Sequence, residues 1–438
     1  MLNKHLFKHI DNSGLIVFRI IFGLLCFLES VGAIFTGWVK HTLVEPHFTF
    51  NFIGFEWLQP LLGNGMYYYY AIMGIFGLCV MLGYRYRLSM ICFTLMWSAT
   101  YLMQKSSYNN HYYLLMILSG VMVAMPAHKY ASIDVFRRPE IKSLSMPAWC
   151  KWVIVLQLFI VYTYASIAKL YPDWLDTTVI ENLMRGKKDY YIVGELLQQK
   201  WTHYALAYGG IIFDGLVVPL LLFKPTRKYA FVVSIGFHLF NSIVFQIGIF
   251  PYLSLAFTLF FFPSEVIQKY FLKKKTLYKA NEVIVPKLRT PLLALFAVYF
   301  VVQIVLPVRH HFIDDDVLWT EEGHRLSWRM MLRTKSGRIS YWIENQENGK
   351  RWLVDPDFYL TKKQQRSAST KPDVIWQFAK WLKEKYSKEG LNVGVYVDSK
   401  VSVNGKPFKQ FIDPNVDIAN QEWDIFKHAL WILPSKQD

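Results

Sequence analysis

Two ionisable side chains stand at the ends of neighbouring hydrophobic segments, where acid–base chemistry could take place away from bulk water. His111 opens one segment in the string Asn109-Asn110-His111, and Lys169 closes the next segment. Such side chains at membrane depth are costly unless they are paired or used. A lysine removed from water can act as a free-amine base, and a histidine beside it can exchange a proton. Both residues are therefore candidate catalytic groups.

Each residue also has a structural interpretation. Lys169 could extend its ammonium to the outer headgroups of the membrane. The Asn109-Asn110-His111 string could cap the N-terminus of the helix that follows it. The expected topology puts His111 and Lys169 at the same depth, which neither structural role requires.

Further polar residues interrupt the other hydrophobic segments. His238 lies in the middle of one, with Asn241 on the same helical face. Asp214, Glu29 and Arg19 lie inside two others. The alternatives for these side chains are a hydrogen-bonded network that holds a bundle together, a proton pathway or a quinone headgroup site.

The elements that must position these residues are transmembrane helices. The hydrophobic fraction is 53% and the mean hydropathy is +0.20, whereas a soluble domain is only about 45–50% apolar. A span needs about 20 mostly apolar residues. We predict about nine spans, at residues 14–35, 66–82, 88–103, 111–126, 149–169, 204–223, 229–247, 252–270 and 291–306.

Loop charges predict the orientation and the second domain. Eighteen Lys and Arg residues fall in one set of alternate loops and six in the other, so the positive-inside rule puts the N-terminus in the cytoplasm. Residues 1–307 then form a mainly α polytopic bundle with an outer loop at 171–202. In residues 308–438 the alternation predicts strands at 338–344 and 351–354, joined by a turn at 344–349, and two short strands at 393–397 and 401–403. Residues 373–386 read as an amphipathic helix, so a small extracytoplasmic α+β domain is predicted.

Composition excludes several other classes of site. The four cysteines, Cys26, Cys79, Cys92 and Cys150, form no CxxC pair, so neither a metal site nor a disulfide framework is indicated. The formal net charge of +16 is explained by cytoplasmic loops and does not indicate nucleic-acid binding.

Several separated strings resemble the vitamin K-dependent γ-glutamyl carboxylase family and its bacterial relatives with a horizontally transferred transmembrane domain. They cover nearly the whole chain, at Arg19–Gly23, Met81–Arg85, Asn109–Leu114, Ala168–Trp174, Phe237–Ser242, Ile249–Tyr252, Ser327–Met331 and Phe411–Ile418. The chain departs from the family at Tyr108, where a tryptophan is usual, and in having a short outer region without cysteine. Recognition of a propeptide is therefore not expected, and the compact length favours a bacterial inner or plasma membrane.

The resemblance implies a chemistry for each candidate residue. Lys169 would be the base that deprotonates reduced vitamin K, which in bacteria would be menaquinol, with O2 and CO2 as co-substrates and no metal. His111, with Asn110 beside it, would support carboxylation of a glutamate in a protein or peptide. His238 matches a second family histidine, and with Asn241 it is expected to bind the lipid quinone. The alternatives are a quinone epoxidase or oxidoreductase without carboxylation, and a non-enzymatic membrane transporter.

Overall fold

The computed structural model describes residues 2–280 and 282–436, which form a helical bundle capped by a small α+β domain. The main helices, in chain order, are α1 (Ser13–Phe35), α2 (Gly65–Leu82), α3 (Tyr86–Met103), α4 (Asn110–Ala124), α5 (Trp149–Ile167), α6 (Thr178–Arg185), α7 (Lys200–Leu222), α8 (Arg227–Phe245), α9 (Phe250–Phe257), α10 (Ser264–Phe271), α11 (Arg289–Val308), α12 (Lys362–Ala368) and α13 (Pro372–Lys388). The strands are β1 (His9–Asp11), β2 (Ser145–Pro147), β3 (Lys335–Asn345), β4 (Arg351–Val354), β5 (Val393–Val403) and β6 (Lys409–Ile412).

Glycines allow the first two helices of the bundle to cross in backbone contact. A Cβ atom added at Gly23 would lie 2.2 Å from the Met81 backbone, and one added at Gly77 would lie 2.7 Å from the Phe27 backbone. Small residues permit this approach, which increases the packing between helices that gain little from the hydrophobic effect in lipid. The α1–α2 pair therefore forms a rigid frame for the helices that carry the polar residues.

Six helices in the described part of the chain are long and apolar enough to cross a membrane, namely α1, α2, α5, α7, α8 and α11 with its 3-10 extension to Phe312. The other three predicted spans are also helical but are shorter or less apolar. The predicted span 252–270 is wrong as a single helix. Helix α9 is followed by a 3-10 turn, Thr258–Phe260, and a new helix, α10, begins at Ser264 after Pro263. Proline lacks an N–H group and disfavours helical geometry in the preceding residue.

The C-terminal α+β domain, which we call the outer domain after its predicted side of the membrane, contains a four-stranded antiparallel sheet in the order β4-β3-β5-β6, with α13 packed on one face. Tyr341 and Ile343 of β3 and Val395 of β5 are fully buried against Phe378 of α13. The predicted hairpin between β3 and β4 and the predicted amphipathic helix are present. We expected two short strands at 393–397 and 401–403, but one continuous strand, β5, covers both. Its alternating valines form one buried face throughout.

Buried ion pairs attach the outer domain to the bundle. Lys105, between α3 and α4, contacts Asp373 of α13 at 2.6 Å, and Arg325 contacts the same carboxylate oxygen at 2.6 Å. Burial lowers the pKa of Lys105 to about 8, although Asp373 acts in the opposite direction. Burial alone would raise the pKa of Asp373, but Arg325 and Lys105 bring it well below its usual range. Removing one partner of such a pair costs about 3–5 kcal/mol, so the two domains form one unit.

Candidate active site

A cavity of about 400 Å³ lies among α5, α7, α8, α9 and the start of α4; we call it the inner cavity. Its lining is mostly aromatic and aliphatic, with Phe213, Phe237 and Phe250 among the larger side chains. The polar residues that line it are His111, Tyr162, Lys169, Asp214, His238 and Asn241. As predicted, Lys169 and His111 share one cavity, and His238 and Asn241 lie in it as well.

Lys169 turns back into the bundle instead of extending to the membrane surface. It lies just after α5, where Pro172 prevents the helix from continuing, and only 7% of its surface is exposed. Its Nζ donates to the Ala165 carbonyl at 3.0 Å and to Asp214 Oδ2 at 2.5 Å. The Trp174 ring covers the ammonium, with its centroid 5.5 Å away. The headgroup interpretation of this lysine is therefore wrong.

Asp214 is the main residue of the inner cavity that was not among the predicted site residues. It lies on α7, is 6% exposed, and forms the ion pair with Lys169 across the space between α5 and α7. Its sequence signal was an acidic residue in the middle of an apolar segment. The rotation of α7 about its axis decides whether that carboxylate faces Lys169, and hydropathy does not fix that rotation.

His111 is presented by the first turn of α4 but does not cap it. Asn109 is the N-cap, since its Oδ1 accepts from the Tyr112 N–H at 2.7 Å. The His111 ring stacks on Phe250 with centroids 4.0 Å apart. The capping role therefore belongs to Asn109, and the imidazole of His111 is available to the cavity.

Asn110, the residue before His111, points away from the inner cavity. Its Oδ1 accepts from the Tyr108 hydroxyl at 2.7 Å, and its Nδ2 donates to the Arg329 carbonyl at 3.0 Å. It does not line the cavity that contains Lys169. Asn110 therefore links α4 to the segment that precedes β3.

His238 and Asn241 form the polar part of the inner cavity on α8. His238 Nε2 lies 3.1 Å from the Tyr162 hydroxyl, while its Nδ1 is buried with no hydrogen-bond partner among the described residues. Asn241 Nδ2 donates to the Phe237 carbonyl at 2.8 Å, so its Oδ1 can accept a hydrogen bond from a ligand.

Two of the other polar residues have structural partners away from this cavity. Arg19 donates to the carbonyls of Ala127, Tyr130 and Ala131, in the segment that follows α4. Glu29 accepts from the Tyr112 hydroxyl at 2.7 Å and lines a separate space of about 20 Å³. The network interpretation describes both residues.

A second cavity, of about 230 Å³, lies between the start of α4 and the outer domain; we call it the basic cavity. Its charged lining is Glu321, Arg325, Arg329, Arg333 and Lys371, and it shares His111, Met330 and Met331 with the inner cavity. No role was predicted for these cations. The signal was present in the sequence, since three arginines recur every four residues from Arg325 to Arg333.

The basic cavity has more positive than negative charge. Arg333 pairs with Glu321, and Arg325 pairs with Asp373. Among the residues that the structure describes, Arg329 and Lys371 have no acidic partner, and Nε of Arg329 is buried without a hydrogen bond. Burial, together with repulsion from Arg325, lowers the pKa of Lys371 to about 8. An anion entering this cavity would therefore be stabilised.

The wall between the two cavities is a strained stretch of backbone. Leu326, Trp328 and Met331 have φ angles of +61°, +56° and +53°, which side chains other than glycine rarely adopt. Trp328 is 1% exposed and stacks on Tyr113 of α4, with centroids 4.9 Å apart. This packing, with the Asn110 hydrogen bond, holds Met330 and Met331 between the cavities.

Two family models match the sequence. Residues 7–265 match the HTTM domain, and residues 288–438 match the lumenal domain of vitamin K-dependent gamma-carboxylase. No solved structure matches the chain. In the described part of the chain, no group of three or more His, Cys, Asp or Glu residues could hold a metal ion. The two matches meet at the cavities, because the first contains Lys169 and His111 and the second contains the arginines.

Proposed function

The chain belongs to the vitamin K-dependent γ-glutamyl carboxylase family, and from that we propose that it couples oxidation of a reduced quinone to its epoxide with carboxylation of a glutamate in a protein or peptide. The observation that carries the proposal is the shared wall. A buried lysine–carboxylate pair lies on one side of His111, and an excess of cations lies on the other.

The inner cavity fits an aromatic, lipid-soluble quinol. Its aromatic lining can pack against a ring system, and the polar groups that could meet the oxygen substituents include the His238 ring and Oδ1 of Asn241. Small-molecule sites are typically apolar with a few placed polar groups. When bound, the reduced quinone supplies, by reaction with O2, a base stronger than any side chain. Phylloquinol and menaquinol both have this chemistry.

Lys169 and Asp214 supply the initiating proton transfer. In the ion pair Lys169 is protonated, so its proton first passes to Asp214 Oδ2, which lies 2.5 Å away. The neutral amine that results then accepts a proton from a quinol hydroxyl. The carboxylate also fixes the position of Nζ, which the Ala165 carbonyl supports from a second direction. The aromatic side chains that line the cavity exclude water, which would otherwise protonate a strongly basic species.

His111 lies where the two substrates must meet. Among the residues that the structure describes, it is the one ionisable residue that lines both cavities. From this position its imidazole can donate a hydrogen bond to charge that develops at the glutamate as the γ-proton leaves and CO2 adds. Asn110 positions the wall from behind through its bond to the Arg329 carbonyl.

The basic cavity holds the glutamate carboxylate in this proposal. Arg329 and Lys371 have unbalanced charge, and an arginine can bind a carboxylate through two parallel hydrogen bonds. This cavity favours the carboxylase proposal over a quinone epoxidase without carboxylation, because an enzyme that only oxidised quinone would have no use for an anion site beside His111.

The test is to incubate purified protein in lipid nanodiscs with reduced quinone, O2, labelled CO2 and a glutamate peptide. We expect quinone epoxide and labelled peptide to form together. Epoxide without label would select the epoxidase alternative. Absence of both products, with a well-folded protein and either quinol, would exclude the proposed enzyme.

The proposed topology puts the N-terminus in the cytoplasm and the outer domain on the extracytoplasmic side. A periplasmic-type reporter fused after Asp438 should then be active only on the outer side. Activity of a cytoplasmic reporter at that position would require one fewer or one more crossing.

A further inference from the structure

The outer sheet has an edge that no strand covers along half of its length. β4 pairs only with residues 341–344 of β3, whereas β5 pairs with all of β3 from Lys335 to Asn345. Residues 335–340 therefore have a strand partner on one side only. At about 3.3 Å per residue this leaves roughly 20 Å of open edge. Such edges pair with another chain unless something covers them.

The backbone groups on this edge are oriented to accept a strand. The Asn345 N–H donates to the Lys350 carbonyl, on the β4 side of β3. The bonding direction alternates from one residue to the next in an antiparallel strand, so odd-numbered residues of β3 face that side. On the uncovered stretch these are Lys335, Gly337 and Ile339.

A groove of about 460 Å³ runs along the uncovered edge, where β4 would continue if it were longer. Gly337, Ile339 and Tyr341 form one wall, and residues 356–369 form the other. At Gly337 an added Cβ would lie 1.9 Å from the Ser369 carbonyl oxygen, so glycine lets the end of α12 lie directly against the strand. Arg366 is exposed at the rim, and Lys362 beside it pairs with Asp357 at 3.0 Å.

Both walls of the groove continue into the basic cavity. On one wall, Gly337 lines the groove and Arg333, four residues earlier, lines the basic cavity. On the other wall, Ser369 lines the groove and Lys371, two residues later, lines the basic cavity. Extended chain covers at most about 3.6 Å per residue, so these separations are no more than about 14 Å and about 7 Å. The Lys335 end of β3 is also the end nearest the bundle, because Asn404 beside it bonds to Asp173 and Asn182.

We propose that the protein substrate binds as an extended strand on the open edge of β3, with its glutamate two or three residues beyond the paired segment, inside the basic cavity. A strand that continues the direction of β4 runs antiparallel to β3 and points its C-terminal end toward the bundle. Main-chain hydrogen bonds supply affinity with little dependence on sequence, and Arg366 favours acidic peptides at the rim. This inference rests on the proposed function for the identity of the occupant.

The experiment measures binding of a fluorescent eight-residue peptide, with one glutamate near its C-terminus, to the full protein in nanodiscs. Two derivatives carry N-methyl groups on alternate backbone amides, one set on the odd amides and one on the even amides. Strand addition predicts that one set weakens binding about tenfold or more and that the other changes it less than about twofold, because only alternate N–H groups face β3. Equal effects of the two sets would overturn the inference.

A matched pair of variants locates the site. Arg366→Glu should weaken binding of the unmethylated peptide about fivefold. Lys400→Glu makes the same charge change at an exposed residue of β5 on the opposite face of the sheet and should leave binding unchanged. Equal losses in the two variants would place the peptide elsewhere. If the two methylated peptides bind with different affinities but no peptide is carboxylated, the proposed function is rejected and this inference stands. If the peptide is carboxylated but the two methylated peptides bind equally, only this inference is rejected.

Discussion

The inner cavity and the basic cavity share a wall but differ in how their charge is balanced. The inner cavity, of about 400 Å³, holds one ion pair, Lys169–Asp214, in an otherwise apolar lining. The basic cavity, of about 230 Å³, is lined by three arginines and a lysine that exceed the nearby carboxylates. A balanced cavity suits a neutral ligand, and an unbalanced one requires an anion. Under the proposed function, this difference lets two unlike substrates, a neutral quinol and a glutamate carboxylate, meet at His111 from two separate cavities.

Lys169→Ala would break the comparison most completely, because it removes the proposed base, on which both products would depend. We expect quinone epoxidation and carboxylation to fall together by at least about 100-fold, the usual range for loss of a general base. A small external amine should restore part of both rates. Both products are measured in the same nanodisc reaction, with exposed Lys188→Ala as the matched control. Near-normal epoxidation in the variant would show that Lys169 does not initiate the reaction.

Asp214→Asn tests whether the ion pair acts as a unit. The amine remains but its counter-charge is lost, so we expect both products to fall about 10- to 100-fold, less than for Lys169→Ala. The loss should appear in kcat, with KM for the quinol nearly unchanged, since Asp214 is proposed to act through Lys169. A variant that loses quinol affinity at unchanged kcat would assign Asp214 to the ligand instead.

His111→Ala should separate the two cavities. We expect carboxylation to fall about tenfold more than epoxidation, because the imidazole is proposed to act after the quinone step. The fold should survive, since Asn109 still caps α4 and the lost stacking on Phe250 is worth about 0.5–1.5 kcal/mol. His311→Ala, at an exposed histidine, is the control. Poor accumulation of the His111 variant alone would indicate a structural role.

Lys371→Met should give the smallest change and affect one substrate only. We expect KM for the glutamate peptide to rise about tenfold while KM for the quinol stays constant. Lys380→Met, on the exposed face of α13, should leave both constants unchanged. Equal changes in both KM values would mean that the two cavities are not independent.

The lowered pKa of Lys371 predicts that KM for the glutamate peptide depends on pH. Because burial lowers its pKa to about 8, Lys371 is charged below that pH and neutral above it. A carboxylate binds the charged form, so KM for the peptide should rise as the pH increases through about 8, and the Lys371→Met variant should lose this rise. Persistence of the rise in the variant would assign it to another group.

The sequence predicts one side of the wall far better than the other. Lys169 and His111 end consecutive hydrophobic segments at the same face, so spans and loop charges alone bring them to one depth. Asn110 could not be separated from His111 in this way, although neighbouring helical residues point about 100° apart. The basic cavity depends on how Lys371, at the N-terminus of the predicted amphipathic helix, meets an irregular segment around Trp328. The four-residue spacing of the arginines indicates a cluster of positive charge, but it does not predict that this segment folds against Lys371.

The unusual backbone of the dividing wall has a consequence for engineering this protein. Each non-glycine residue in left-handed geometry costs of order 1–3 kcal/mol, and Leu326, Trp328 and Met331 all have it within six residues. Replacing Met331 with glycine would relieve part of that cost and could raise the melting temperature, but it would also remove a side chain from the wall between the two cavities. Selection for thermostability would therefore favour variants whose wall admits water between the two cavities. The melting temperature and the ratio of carboxylation to epoxidation should therefore be measured together.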